Sequence, residues 1–224
     1  MNDMVSELPF AVIIAGAVMV GLWISNTLFD LHVPHYISRK IGHSAGGLGF
    51  LIAVFAFSSA WWPIMLTGLF GMILWSARFR RPHIFRGVGG SGRDSHSMSE
   101  VWFALAAVPV FAVGWLWLNT PFIAAACLLF MAWGDCVTGL IRSKVYGKPV
   151  KGLWGSLAML IVCLIISWAF IKPFWIGVLG SVIATITEWA FGDTGFVKWA
   201  DDNWAIPVIS LAFVSGIAAL TGNI

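Results

Sequence analysis

Between Gly134 and Lys151 the sequence reads Gly-Asp-Cys-Val-Thr-Gly-Leu-Ile-Arg-Ser-Lys-Val-Tyr-Gly-Lys-Pro-Val-Lys, which sets one carboxylate, Asp135, after a long apolar run and then adds glycines and four cations. These residue types suit a metal-bound phosphate chain. The run from Pro121 to Trp133 carries no charge and supplies most of a membrane helix. A carboxylate at the edge of such a helix is costly, so it marks a functional candidate. On a continuing helix Asp135, Gly139 and Arg142 share one face. Glycines let a backbone come close to a ligand, and Arg142, Lys144, Lys148 and Lys151 are suited to phosphate oxygens that a carboxylate alone repels. Magnesium would reconcile Asp135 with those phosphates. The same segment also reads as a capped helix end before an ordinary basic loop.

Other candidates lie elsewhere in the chain. Arg39, Lys40 and His43 are spaced to share a helix face, and they also read as the basic flank of a span. Glu100 opens a helix behind Ser97 and Ser99, where a carboxylate serves a site or simply the helix dipole. Glu188 closes one apolar run, and Asp201-Asp202-Asn203 precedes the last one. Asp135, Glu188 and the Asp201-Asp202-Asn203 cluster together offer oxygen ligands for a metal-bound nucleotide, while Asp202-Asn203 would also make a good N-cap. The glycine-rich connection from Gly87 to Glu100 reads as a linker or as a lid, and no Walker-type lysine follows its glycines.

The elements that must position these residues are membrane helices. Of 224 residues 59% are hydrophobic and 10% charged, far more apolar than the roughly 45–50% of soluble domains; the mean hydropathy is +0.89. Uncharged runs recur at 8–29, 44–77, 101–133, 153–171, 173–187 and 204–224, and a span needs about 20 residues. Ser58-Ser59-Ala60-Trp61-Trp62-Pro63 and Leu118-Asn119-Thr120-Pro121 split two long runs, since serine, asparagine and proline make turns. The expectation is an all-α integral membrane protein, residues 1–224 forming one polytopic bundle of about eight helices. With both termini outside, twelve of the thirteen lysines and arginines face the cytoplasm and only Lys172 does not. The site is therefore expected on the cytoplasmic face of a cell membrane. The basic face suits anionic lipid heads and substrates rather than nucleic acid. Cys127, Cys136 and Cys163 lack paired spacing and read as apolar fillers.

The combination of Arg39-Lys40-Ile41-Gly42-His43, Gly134-Asp135 with Gly139 and Gly147, Lys151 with Gly155-Ser156, Thr187-Glu188 and Asp201-Asp202-Asn203-Trp204-Ala205-Ile206-Pro207 resembles the diacylglycerol/polyprenol kinase family, which includes dolichol and phytol kinases. The likeness runs from about residue 38 to 210. It implies transfer of the terminal phosphate of CTP to an isoprenoid or related lipid alcohol drawn from the bilayer. Under it Asp135, with Glu188 or Asp202, would hold magnesium. Arg39, Lys40, Arg142, Lys144, Lys148, Lys151 and Asn203 would hold the nucleotide, with Gly139, Gly147 and Gly155 giving clearance. His43 would orient or deprotonate the hydroxyl; Glu100 and Asp201 are further candidates. The Asp135 segment also resembles CDP-diglyceride synthases, and a transporter is the alternative outside enzymes. The family's Lys-Ser/Thr-x-Glu-Gly stands here as Lys151-Gly152-Leu153-Trp154-Gly155, with Trp154 in place of the acid.

This topology predicts that, in a background without the native cysteines, a cysteine at Gly90 reacts with an impermeant thiol reagent only after the membrane is opened. One at Asn119 reacts from outside. Labelling of Gly90 in intact cells overturns the arrangement.

Overall fold

The computed structural model describes residues 5–81, 83–89, 98–147, 150–192 and 195–224. Lys148, Gly90 and most of the glycine-rich connection lie outside those residues. Among the described residues the chain is helical apart from turns and one bridge between Phe191 and Val197. The helices are α1 (Leu8–Asp30), α2 (His35–Ala56), α3 (Trp61–Arg80), α4 (Ser99–Trp117), α5 (Pro121–Tyr146), α6 (Leu153–Phe170), α7 (Phe174–Ala190) and α8 (Asp202–Leu220). The two long apolar runs break where their turn residues predict, between α2 and α3 and between α4 and α5. Of the roughly eight spans expected, five helices are long and apolar enough to cross a membrane unaided: α1, α4, α5, α6 and α8. α7 is apolar but shorter.

The bundle is built around α5, whose residues Ala124 to Ala132 are wholly buried. α2, α4, α6 and α8 surround it. Small residues set these approaches, as they do where lipid supplies no hydrophobic drive between helices. A Cβ on Gly47 would lie 2.8 Å from the Ala132 Cβ, and one on Gly21 only 2.2 Å from the Ala45 Cβ, which locks α1 onto α2.

Two features were not legible in the sequence. The last turn of α4, Ala112–Trp117, and the middle of α5, Phe130–Gly134, are π-helical. A π-turn inserts one residue and rotates the downstream part of the helix by about 100°. The second ends directly before Asp135, so it sets the direction in which that carboxylate leaves the helix.

Polar contacts between helix ends fix which ends meet. The Ser25 hydroxyl donates to the Ser38 carbonyl at 2.7 Å, and the Asn203 amide to the Ser99 carbonyl at 3.0 Å. The C-terminal ends of α1, α3, α5 and α7 thus gather with the N-terminal ends of α2, α4, α6 and α8. At the far end the Ser58 N–H donates to Glu7 at 2.6 Å.

Gly21→Val forces α1 from α2 and should destabilise the protein by about 1–3 kcal/mol. Thermal unfolding in detergent checks this; a wild-type midpoint would show that the two helices need no such contact.

Candidate functional site

At this gathered end the carboxylates of Asp135, Glu188 and Asp202 each offer an oxygen within 4.8 Å of the others. They come from three helices that touch at this level: the post-π turn of α5, the last turn of α7 and the first turn of α8. Each faces a cation. Lys40 Nζ donates to Asp135 Oδ2 at 2.5 Å and to its carbonyl at 3.0 Å. Arg142 donates to Glu188 Oε2 at 2.6 Å, and Lys151 to Glu188 Oε1 at 2.7 Å. Lys151 also lies 3.6 Å from Asp202 Oδ2. Glu188 is completely buried, so its two cations are obligatory.

Two of the predicted glycines have a specific steric task. A Cβ on Gly139 would stand 2.7 Å from Lys40 Cε, and one on Gly155 2.7 Å from Arg142 Nε. They make room for the cations that cover the acids. Gly147 ends α5 in the left-handed conformation, φ 64°, with open space around it. Lys144 is exposed on the last turn of α5. Trp154 is exposed on α6 and turns away from the neighbouring buried Gly155.

The last motif divides its work. Asp201, rather than Asp202, is the N-cap of α8: its Oδ1 accepts from the Asn203 N–H at 3.0 Å, and its Oδ2 from the Ser99 hydroxyl at 2.6 Å. Burial, reinforced by the neighbouring charge of Asp202, pushes the Asp201 carboxyl up to about 6. Capping by Asp201 leaves Asp202 directed at Lys151.

His43 stands one turn beyond Lys40 on α2. Its ring lies against Phe103 of α4, with centroids 4.4 Å apart, and both line an apolar cavity among α1 to α4. Glu100 lines the same cavity and is paired with Arg78, so it sits apart from the three clustered acids. Sequence reasoning did not identify Arg78, nor Ser99 as the residue that ties Asp201 to α4. A basic residue at a helix end gives no signal of its partner on another helix.

All three acids are hard oxygen donors of the kind magnesium takes. Arg142 Nε, Arg39 Nε and Asn203 Oδ1 are buried without a hydrogen-bond partner among the described residues. Orphaned polar atoms of this kind beside an acid cluster fit a site for a metal with an anionic ligand.

Gly139→Ala should displace Lys40 from Asp135 and lower catalytic activity at least tenfold, because small misplacements in a site are costly, with little change in thermal unfolding. Normal activity in a folded variant would show that the Lys40 position is immaterial.

No family model matches the chain, and no solved structure matches it. It is similar to the phytol kinase of Synechocystis sp., 29% identical over 184 residues that cover 78% of this chain and 76% of that protein. The similarity and the motif set point the same way: the chain is similar to a phytol kinase, and its motifs resemble those of the diacylglycerol/polyprenol kinase family, which includes phytol kinases.

Proposed function

We propose that this chain is a membrane kinase that transfers the γ-phosphate of CTP to an isoprenoid or related lipid alcohol, with magnesium. Residues 1–224 form one domain of eight spans with both termini outside, and the acid cluster faces the cytoplasm. The observation that carries the reading is the interlocked set of Asp135, Glu188 and Asp202 with Lys40, Arg142 and Lys151. The similarity to a phytol kinase supports the reaction class.

Asp135, Glu188 and Asp202 would hold magnesium, which supplies neutralisation of the phosphate oxygens. Phosphoryl transfer asks a protein mainly for positioning and charge stabilisation. Lys40, Arg142 and Lys151 are anchored on carboxylates and lie close enough to exchange them for phosphate oxygens when nucleotide arrives. Arg39, Asn203 and Lys144 would add further contacts to the nucleotide, the sequence assigns Lys148 the same task, and Gly147 leaves the approach open. His43 orients the acceptor hydroxyl as its oxygen bonds to the γ-phosphorus, its proton passes to a neighbouring base and CDP leaves with the bridging oxygen.

The test uses CTP labelled at the γ or the α phosphorus, with protein in lipid and geranylgeraniol, phytol, a longer polyprenol or diacylglycerol as acceptor. γ-Label should enter the lipid. Asp135→Asn should lower that rate roughly a thousandfold while the protein remains folded. α-Label in the lipid would identify a cytidylyltransferase instead, and ATP outperforming CTP would refute the donor assignment alone.

A further inference from the structure

An apolar cavity with an open mouth lies among α1, α2, α3 and α4. Its polarity is one-sided. Among the described residues His43 and Glu100 are its ionisable lining residues, and both stand at the end nearest the acid cluster. Thr67, the other polar side chain lining it, donates to the Pro63 carbonyl at 2.7 Å. From Gly42, Leu74 and Glu100 the cavity runs along its helices to Ala53, Pro63 and Phe111. That is eleven residues along each helix, or about 16 Å at 1.5 Å per residue. The lining is apolar along this length, with its ionisable groups at one end.

Its polar end is closed by the segment 83–89. The Gly87 N–H donates to Asn26 Oδ1 at 2.9 Å, the Asn26 amide to the Ile84 carbonyl at 2.6 Å, and the Ser38 hydroxyl to the Gly87 carbonyl at 3.0 Å. Arg86 pairs with Asp30. These contacts press Phe85 and Val88 inward, so both are buried and Val88 lines the cavity. On the side, α1 and α3 scarcely touch, which leaves a lateral opening between them.

We infer that this cavity is the acceptor site, taking a single-chain lipid alcohol through the opening between α1 and α3, with its hydroxyl hydrogen-bonded to the Glu100 carboxylate. The inference rests on the lipid-alcohol reading above and names the place and the binding group. An alcohol drawn into an apolar cavity loses water and needs an acceptor for its O–H. Arg78 engages Glu100 Oε1, and no bond among the described residues uses Oε2. Arg78 is the positioning residue: it fixes the carboxylate so that Oε2 receives the hydroxyl on the side where His43 stands. A second apolar groove, between α4 and α8 and lined by Val113, Val208 and Leu211, has no ionisable side chain in its lining. It provides the control.

The experiment is photo-labelling in nanodiscs, without nucleotide, by a geranylgeraniol-type alcohol carrying a mid-chain diazirine. Adducts should map to Leu22, Phe70 and Phe103. Excess unlabelled alcohol should suppress them and the corresponding hydrocarbon should not. Glu100→Ala should raise the KM for the alcohol about tenfold, the effect of one hydrogen bond to a charged group, and leave that for CTP within about twofold. Glu100→Gln, which keeps an acceptor oxygen, should be milder, and it serves if the alanine variant does not fold. Adducts on Val208 and Leu211, equal competition by the hydrocarbon, or a KM change confined to CTP would each overturn the inference. Labelling needs no turnover, so adducts in the cavity with no phosphate transfer from any nucleotide would sink the kinase reading alone. Turnover with adducts elsewhere would sink the acceptor site alone.

Discussion

The rest of this structure depends on the neutralisation of Glu188. Its side chain is fully buried, and an unpaired charge there would be prohibitive, so Arg142 of α5 and Lys151 before α6 must both reach it. That requirement draws α5, α6 and α7 together at one end. Lys151 extends the link to Asp202 at the start of α8, and Lys40 repeats the device between α2 and Asp135. Three carboxylates and three cations thus tie five helices of an otherwise apolar bundle in register. Lipid tails offer helices little preference for one another over lipid, so such polar ties and the small-residue contacts carry the specificity of packing.

The same arrangement prepares a site. Three carboxylates this close repel one another unless countercharge is present, and here the protein's own cations supply it. Under the proposed reading a magnesium–triphosphate complex would bring both charges at once, the metal for the acids and the phosphates for the cations. Exchange of partners would then conserve neutrality. The clearances at Gly139 and Gly155 matter for this reason. They let Lys40 and Arg142 lie close across the helix surface and reach Asp135 and Glu188.

Much of this was legible in the sequence because membrane helices announce themselves by composition and the chain's charges are crowded into a few places. The breaks at Ser58-Ser59 and Asn119-Thr120-Pro121 and the arrival of Lys40, Asp135, Glu188 and Asp202 at one end of the bundle followed from hydropathy and one-sided charge. The pairings did not. Which cation serves which acid is decided by helix rotation, and the π-turn at Phe130–Gly134, which sets the rotation of Asp135, has no composition of its own. The division of Asp201-Asp202-Asn203 into a cap, an acid facing Lys151 and a buried amide also required Ser99, which lies about a hundred residues away and approaches only through tertiary packing.

α2 separates two environments that the proposed phosphoryl transfer would bring within one bond length. Lys40 points to α5 and its acids, and Ser44 and Gly47 pack that same side against Cys136 and Trp133. His43 and Gly46 face α4 and Phe103, on the side of the apolar cavity. Three residues along one helix therefore carry the chain from a charged, nucleotide-suited surface to a water-poor, lipid-suited one. A wider partition would hold the reacting oxygen too far from the phosphate, whereas none at all would admit water as a competing acceptor. Glycines at 42, 46, 47 and 49 keep the partition thin, because any larger residue would press on Val88, Phe103, Trp133 or Val18. The glycine run beside the basic motif is explained in this way by both surfaces together, since α2 must pack closely on each while Lys40 and His43 project from it.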